Sequence, residues 1–390
     1  MKIKSLLPPF AFGLTLFFVQ LSFVLLPAQK SYFPARGTWE VKKPDETGLN
    51  GSKIQEAVDF ALANEYEGSK DLRIAIIEAF RREPYHHIVG RTKKRGGPAG
   101  VILKDGHIVA QWGDVERVDM TFSATKSYLS TVCGLALDAG LIRDVHDKVV
   151  DYVWDGTFGG EHNGKIAWHH LLNQSSDWSG SLFGMKDWAD RPPSEGDIDE
   201  WKTRPLLEPG TNFEYNDVRV NVLAYALLQV WRKPLPTVLK EKIMDPIGAS
   251  TTWRWFGYEN SFVNVDGVMT QSVSGGGHSG GGLFINTLDH ARFGLLFLHH
   301  GQWNGKRLLS EKWINELRQS SKANASYGYM WWLNKGDRNW EGVGDNVFYA
   351  AGFGGNFIVV DDAHDLVIVT RWLQPSKIGE MVKLVIDALQ

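Results

Sequence analysis

Segments with strand character lie at both ends of this chain, and segments with helical character lie between them. Residues 100–113 predict a β-hairpin, because two apolar strands flank a turn that contains Asp105 and Gly106. Further strands are predicted near the C-terminus, at 327–333, 346–351, 356–360 and 366–372. Strands at both ends of a chain predict one antiparallel sheet whose parts meet across a helical insertion.

The predicted helices carry apolar residues at helical spacing or follow a capping residue. They cover residues 52–64, 128–137, 218–231, 289–299 and 378–389. Residues 66–98 are basic and irregular, and no function is assigned to them. The expected fold class is therefore α/β in the α+β sense, an antiparallel sheet with a helical insertion at about 140–270.

The first 28 residues have the composition of a targeting segment. Lys2 and Lys4 precede an uncharged apolar run over residues 6–28, which is the pattern of a secretory signal. Because the run is also long enough to span a bilayer, residues 1–28 are predicted to be either a cleaved signal peptide or an uncleaved membrane anchor. In both cases the rest of the chain is exported, and the folded domain is periplasmic or held at the outer side of the membrane.

Composition narrows the domain plan and the functional classes. Residues 29–48, rich in Pro, Gly and Lys, predict a linker, and residues 49–390 can form one large domain. The net charge of -3 and the lack of a long basic run give no reason to expect a nucleic-acid partner. The single cysteine, Cys133, excludes an intrachain disulfide. The two histidines at 169–170, and likewise those at 299–300, would point in different directions on a helix, so they do not predict a metal site. No metal ion and no cofactor are predicted.

A serine and a lysine three residues apart stand at the start of the apolar helix predicted at 128–137. If Ser123 begins this helix, Ser123 and Lys126 lie on one face, one turn apart. A serine hydroxyl becomes a strong nucleophile when a base takes its proton, and an amine whose pKa is lowered by burial can be that base. The Ser123 amide can also donate to an oxyanion. The alternative is a capped surface helix with an incidental lysine.

Two further stretches can complete this chemistry. Tyr215 offers a phenol that can pass a proton to the leaving atom, and Asp217 follows it by two residues. Tyr258 and Asn260 have the same spacing, so spacing alone does not decide, but Tyr215 is preferred because it follows a Pro-Gly loop that leads into a helix. The second oxyanion donor is expected within residues 350–356, whose glycines let a backbone approach a substrate closely.

These motifs, taken in order, resemble a known family. It comprises serine β-lactamases of class C, D-alanyl-D-alanine carboxypeptidases, and their esterase and 6-aminohexanoate-oligomer amidase relatives. The resemblance covers roughly residues 100–375. The matching stretches are residues 123–126, 209–215, 281–294, 327–332 and 352–356.

The resemblance implies a fold and a set of roles. The fold is β-lactamase/transpeptidase-like, an antiparallel sheet flanked by helices with an inserted all-helical subdomain. Ser123 is implied as the nucleophile, Lys126 as the base, Tyr215 as the proton shuttle and Asp217 as an orienting residue. The amides of Ser123 and Phe353 are implied as the oxyanion hole. The residues expected to contact the substrate are Gly352, Gly354 and Trp331.

Two departures from the family pattern shape the functional expectation. Asp217 stands where the family has asparagine, and an aspartate beside Lys126 favours the charged lysine. Ala350 stands where the lactamases have the lysine of Lys-Thr-Gly, so the cation that holds a substrate carboxylate is missing. The chain is therefore expected to be a serine hydrolase that acts through an acyl-enzyme on small esters or neutral amides.

Three alternatives remain open at this point. One is a β-lactamase or D-Ala-D-Ala carboxypeptidase, and another is a membrane-anchored sensor that is acylated without turnover. The third is an α/β-hydrolase with Ser279 as nucleophile, because residues 277–281 match Gly-x-Ser-x-Gly. Residues 266–275 are too polar for the buried strand that this elbow needs, and the serine lies among six glycines from 275 to 282. Residues 278–280 could also imitate the third lactamase motif, but the sequence after them predicts a helix rather than a strand.

Overall fold

The computed structural model describes Met1 and residues 32–390, apart from Ser194. The targeting segment predicted at residues 1–28 therefore lies, beyond Met1, outside the described residues. The helices are α1 (Gly51–Ala63), α2 (Leu72–Phe80), α3 (Thr125–Asp138), α4 (Trp168–Leu172), α5 (Ile198–Thr203), α6 (Asp217–Trp231), α7 (Leu235–Leu239), α8 (Thr287–Leu298), α9 (Glu311–Leu317) and α10 (Ile378–Ile386).

The strands of the described residues fall into two larger sheets and two short hairpins. They are β1 (Ala99–Lys104), β2 (His107–Trp112), β3 (Asp119–Met120), β4 (Ser181–Leu182), β5 (Met185–Lys186), β6 (Arg254–Val265), β7 (Val268–Val273), β8 (Gly282–Ile285), β9 (Gln302–Trp303), β10 (Lys306–Arg307), β11 (Trp332–Leu333), β12 (Phe348–Gly352), β13 (Asn356–Asp361) and β14 (Leu366–Arg371).

The larger sheet has six antiparallel strands in the order β11-β12-β13-β14-β1-β2. The hairpin predicted at 100–113 is present, with Lys104 paired to His107 across the turn. β1 also pairs with β14, so that Val101 lies opposite Val369. Strands from both ends of the chain therefore meet in one sheet, as the sequence predicts.

Helices cover both faces of this sheet. Along β14, Leu366 and Ile368 pack with α1 and α10, whereas Val367 and Val369 pack with the core that contains α3, α6 and α8. Gly294 of α8 lies so close to the sheet that a Cβ atom there would be 2.6 Å from Val367 Cγ1. The sheet is the middle layer of three, which places α3 beneath one face.

The smaller sheet has four strands in the order β3-β8-β6-β7. Its long hairpin, β6 and β7, lies inside the stretch at about 140–270 that was expected to be all-helical. The helical part thus ends before Arg254. β7 lies within residues 266–275, which were expected to be too polar for a buried strand, and as an edge strand it leaves Val268 and Met269 in solvent.

Helix α2 was not predicted within the irregular, basic stretch at 66–98. The Asp71 carboxylate caps it by accepting from the Arg73 amide at 3.0 Å, and Leu72 and Ile76 are buried. This helix ends at Phe80, which reaches the candidate site described below.

Residues 32–390 form one compact unit. The described part of the predicted linker at 29–48 is packed against α8, because the Arg292 guanidinium donates to the carbonyls of Pro34, Ala35 and Thr38 at 2.7 to 2.9 Å. Along the described chain, no helix combines the length and apolarity needed to cross a membrane.

Candidate active site

Ser123 lies in a short 3₁₀ turn, Phe122–Ala124, that leads directly into α3. The helix proper begins at Thr125, so Ser123 precedes α3 by two residues instead of starting it. Phe122 adopts a positive φ of 49°, an uncommon conformation for a residue with a side chain. The turn keeps Ser123 half-buried and accessible while its neighbours Phe122 and Ala124 are buried.

Lys126 is the immediate partner of Ser123. Its Nζ lies 2.8 Å from Ser123 Oγ and 2.7 Å from Asp217 Oδ1, and only 1% of the residue is exposed. Gly276 packs against this pair so closely that a Cβ atom there would lie 2.3 Å from Lys126 Nζ and 1.7 Å from Asp217 Oδ1. The glycine run at 274–282 therefore makes room for the buried lysine.

Asp217 is the first residue of α6 and contacts the lysine as the Tyr-x-Asp spacing predicts. Asn216 caps this helix by accepting from the Arg219 amide at 3.0 Å. Burial by itself raises the pKa of the Asp217 carboxyl, but the charges of Lys126 and Arg191 together hold that pKa well below its ordinary value. The carboxylate is therefore ionised throughout the neutral pH range.

Tyr215 is the tyrosine that reaches the lysine. Lys126 Nζ lies 4.6 Å from the centroid of its half-buried ring, and the ring stacks on Trp332 at 5.9 Å. In the competing pair, Tyr258 is buried and accepts from Asn221 at 3.3 Å, whereas Asn260 is exposed and donates to a distant loop carbonyl. The structure brings residues 215–217 to the serine and lysine.

The end of β12 lies beside the turn that carries Ser123. A Cβ atom on Gly352 would lie 2.0 Å from the Thr121 carbonyl oxygen and 3.2 Å from the Ala124 nitrogen, so only glycine permits this approach. Phe353 follows in the loop to β13, and its ring packs on Phe122 at 5.0 Å. The start of the loop that carries Phe353 therefore lies against the turn that carries Ser123.

Two of the residues expected to contact substrate have other surroundings. Trp331 is fully buried and stacks on Phe293, so it belongs to the core. Its neighbour Trp332, the first residue of β11, contacts Tyr215 instead. Gly354 has φ 75°, and a Cβ atom there would lie 2.7 Å from the Trp372 ring, so it makes room for that ring.

Comparison with known proteins assigns this chain to a family. A family model described as Beta-lactamase matches residues 86–374. The chain belongs to the beta-lactamase family. A 6-aminohexanoate-dimer hydrolase from Paenarthrobacter ureafaciens is 25% identical over 292 residues, which cover 66% of this chain and 67% of that protein.

Several solved structures have the same fold, and their names state different activities. A family VIII carboxylesterase superposes with a TM-score of 0.56 at 17% identity, covering 87% of this chain and 97% of its own. A beta-lactamase/D-alanine carboxypeptidase from Pseudomonas syringae gives 0.56 at 12% identity, covering 87% and 99%. The predicted β-lactamase/transpeptidase-like fold is confirmed, and so is the resemblance to this hydrolase family.

Membership of the beta-lactamase family is incompatible with the fold of the α/β-hydrolase alternative. A nucleophile elbow needs a helix directly after the serine, but β8 follows the glycine run, contrary to the predicted helix, and α8 begins only at Thr287. Ser279 is 2% exposed, and its carbonyl oxygen accepts from the amides of Val89 and Gly90 at 3.0 Å. Its role here is in the packing of loops.

The family pattern has a lysine on the strand beside the serine, and this chain has Ala350 at that position. Ala350 of β12 is 1% exposed and packs in the core. Arg371 is not a substitute, because it is 3% exposed and its guanidinium donates to Asn356, Ile285 and Met120. Burial lowers the pKa of Arg371 to about 10, and its contacts are those of a structural residue.

An open cleft beside Tyr215 contains residues that the sequence did not single out. Arg191 lies with its Cζ atom 5.1 Å from the centroid of the Tyr215 ring and borders a cleft of about 720 Å³. The walls of the cleft include Phe80, Glu83, Pro192, Ile198 and Trp201. Phe80 and Glu83 come from the stretch at 66–98 that was left without a role. The apolar spacing after Asp71 was a usable signal for α2, whereas nothing in the sequence marked Arg191.

Proposed function

We propose that this protein is a serine hydrolase that cleaves ester or amide bonds of small substrates through an acyl-enzyme on Ser123. The observation that carries the proposal is the 2.8 Å contact between the buried Lys126 amine and the accessible Ser123 hydroxyl. A lysine in this position can take the serine proton and so generate the nucleophile. Membership of the beta-lactamase family supports the same chemistry.

The first half of the reaction forms the acyl-enzyme. Neutral Lys126 takes the proton from Ser123 Oγ as that oxygen bonds to the carbonyl carbon of the substrate. The negative charge that develops on the carbonyl oxygen is stabilised by the amides of Ser123 and Phe353. The tetrahedral intermediate collapses when the bond to the leaving group breaks, and Tyr215 passes a proton from Lys126 to the departing oxygen or nitrogen.

The second half returns the enzyme to its starting state. A water molecule gives a proton to the same Lys126 and Tyr215 pair and attacks the acyl carbon. The bond from that carbon to Ser123 Oγ then breaks, the serine regains its proton, and the carboxylic acid product leaves. No metal ion or cofactor takes part in this scheme.

The substrate class follows from what surrounds the serine. Ala350 offers no cation on β12. The cleft of about 720 Å³ that Arg191 borders is lined by aromatic and proline side chains and also by the charged side chains of Arg82, Glu83, Glu195 and Asp197. Pockets of this size hold small organic molecules. Together with the carboxylesterase and aminohexanoate-dimer hydrolase among its relatives, this favours esters or neutral amides over penicillins.

We expect a short acyl ester to be a better substrate than a β-lactam. The kcat/KM for p-nitrophenyl butyrate should exceed that for a cephalosporin, because no cation on β12 binds the carboxylate of the antibiotic. Both constants are measured on one enzyme preparation at one pH. A cephalosporin hydrolysed faster than the butyrate ester contradicts this substrate assignment while leaving the serine mechanism intact.

Asp217 should make the activity rise towards alkaline pH. Its carboxylate stays ionised and lies 2.7 Å from Lys126 Nζ, where a negative charge stabilises a protonated amine. Asp217→Asn removes the charge and keeps the shape, and should move the alkaline limb of kcat/KM down by about one pH unit. The limb belongs to the coupled group, including Tyr215, rather than to one residue.

The pH profiles of both enzymes with one ester substrate test this expectation. A limb that stays in place with intact activity shows that the Asp217 charge does not govern Lys126.

We also propose that the protein is exported, either to the periplasm or to the outer side of the membrane that anchors it. This proposal is supported by Lys2, Lys4 and the uncharged apolar run at 6–28. The proposed partner is the small ester or amide substrate, and no nucleic acid is proposed. If the N-terminal segment is not cleaved, it attaches the protein to the membrane. Fractionation of cells that express the full chain, with detection of the mature N-terminus, measures both points.

A further inference from the structure

Asp217 divides its charge between two cations. Its Oδ1 atom lies 2.7 Å from Lys126 Nζ, and its Oδ2 atom lies 2.7 Å from Arg191 Nη1. The same Nη1 atom lies 2.7 Å from Asp190 Oδ1, and the Asp190 carboxylate also accepts from the Asp217 amide. Arg191 itself has φ 48°, so the chain adopts an uncommon backbone conformation to place its guanidinium here.

His278 fixes the other end of that guanidinium. Arg191 Nη2 lies 3.0 Å from His278 Nδ1, and since arginine only donates, Nδ1 must accept. The ring hydrogen is therefore on Nε2, which lies 2.5 Å from Glu83 Oε2. Phe80 packs on the imidazole at 3.9 Å and so holds the ring in this orientation. His278 thus links Glu83 to Arg191 as a neutral imidazole.

The same tautomer argues against a metal ion at this cluster. Glu83, Asp190 and His278 place potential ligand atoms within 4.8 Å of one another. A metal on Nε2 would require the hydrogen to move to Nδ1, where it would face an Arg191 N–H group. Donor would then oppose donor, so the geometry fits a hydrogen-bonded network and not a cation site.

The charges in this network leave Lys126 in a negative environment that Arg191 moderates. Three buried carboxylates, those of Glu83, Asp190 and Asp217, surround the two cations Lys126 and Arg191. The other titratable groups that face this network are His278, Tyr215, Tyr258 and Tyr327. Removing the Arg191 charge would let the negative groups act on Lys126 without opposition, which favours its ammonium form.

We propose that Arg191, oriented by His278 and Glu83, is a positioning residue that shares the charge of Asp217 with Lys126 and thereby supports the neutral, basic form of the lysine. This inference rests on the proposed function, because it assigns Lys126 the role of base. It also explains how the chain accommodates Asp217, a carboxylate where the family pattern has asparagine. Arg191 is a second cation, and it binds the Asp217 oxygen that does not pair with Lys126.

The decisive variant is Arg191→Gln, examined by the pH dependence of kcat/KM for p-nitrophenyl butyrate. The alkaline limb should move up by about one pH unit, opposite to the shift expected for Asp217→Asn. A purely structural role would lower activity at every pH and leave the limb in place. Arg232→Gln is the matched control, because Arg232 follows the far end of α6, about 22 Å from Asp217, and pairs with Asp266 at the surface. Its limb should coincide with that of the wild type.

A second pair of variants tests the role of His278. His278→Phe keeps an aromatic ring against Phe80 but cannot accept from Arg191, and it should shift the limb in the same direction as Arg191→Gln. His278→Asn keeps an amide oxygen at the position of Nδ1 that can accept from Arg191, and it should retain most of the wild-type profile. Thermal unfolding identifies a variant that fails to fold, and the Arg191→Gln result then decides alone.

The outcomes separate this inference from the proposed function. If wild-type enzyme hydrolyses the ester and the Arg191→Gln limb stays in place or moves down, the inference is wrong while the hydrolase assignment stands. If folded wild-type enzyme neither hydrolyses esters or amides nor becomes acylated, the proposed function fails and takes this inference with it. An upward shift in Arg191→Gln, with the control unmoved, supports both.

Discussion

Ser123→Ala should lower kcat/KM for p-nitrophenyl butyrate by about 10⁴-fold or more, because the variant loses the covalent route entirely. The hydroxyl is the accessible polar group that the buried Lys126 amine contacts at 2.8 Å. Removing it leaves binding and the backbone amides, which still accelerate the attack of water but far less than the covalent route does. Initial rates at several ester concentrations provide the comparison.

Ser279→Ala is the matched control for this experiment. Ser279 lies in the glycine run and carries the rival Gly-x-Ser-x-Gly motif, but it is buried in a loop between β7 and β8. This variant should keep most of the wild-type activity. The reverse ranking, with Ser279→Ala inactive and Ser123→Ala active, contradicts the assignment of the nucleophile.

Lys126→Met should have the second-largest effect, and it should affect both activity and stability. Activity should fall by about 10³-fold or more, because no base remains to take the serine proton. The free energy of unfolding should fall on the order of 3 kcal/mol, because the buried Asp217 carboxylate loses one of its two cations. Steady-state kinetics and urea unfolding measure the two effects separately.

The double variant Lys126→Met/Asp217→Asn distinguishes catalysis from charge balance. It removes the buried cation and one buried carboxylate together, so much of the lost stability should return. Activity should stay at the level of the single lysine variant. Recovery of activity along with stability indicates that Lys126 is needed only to neutralise Asp217, and that another group serves as the base.

The parts of this site that sequence could predict are those fixed by local spacing or by ordered motifs. Ser123 and Lys126 are one helical turn apart, so their contact follows from backbone geometry alone. Asp217 was placed beside the lysine by a motif that the family shares, and the 2.7 Å ion pair agrees. The joining of β1 with β14 followed from strand character at both ends of the chain.

The parts that sequence could not supply depend on contacts between distant segments. Arg191 lies on an irregular loop, and nothing near it in the chain announces that Asp217 and His278 will surround it. The glycine at 276 was visible, but its purpose appears only when α3 and α6 pack against it. That Trp331 is buried in the core while Trp332 stacks on Tyr215 likewise depends on contacts with distant residues.

Identification of the acylated residue shows whether Ser123 is the nucleophile. Full-length protein is treated with a fluorophosphonate serine probe, digested, and mapped by mass spectrometry, with a parallel sample preincubated with the ester substrate. One dominant adduct is expected on Ser123, reduced by the ester and absent from Ser123→Ala. A dominant adduct on another serine contradicts the assignment of Ser123 as the nucleophile. Ester turnover by protein whose Ser123 the probe fails to modify also contradicts this assignment.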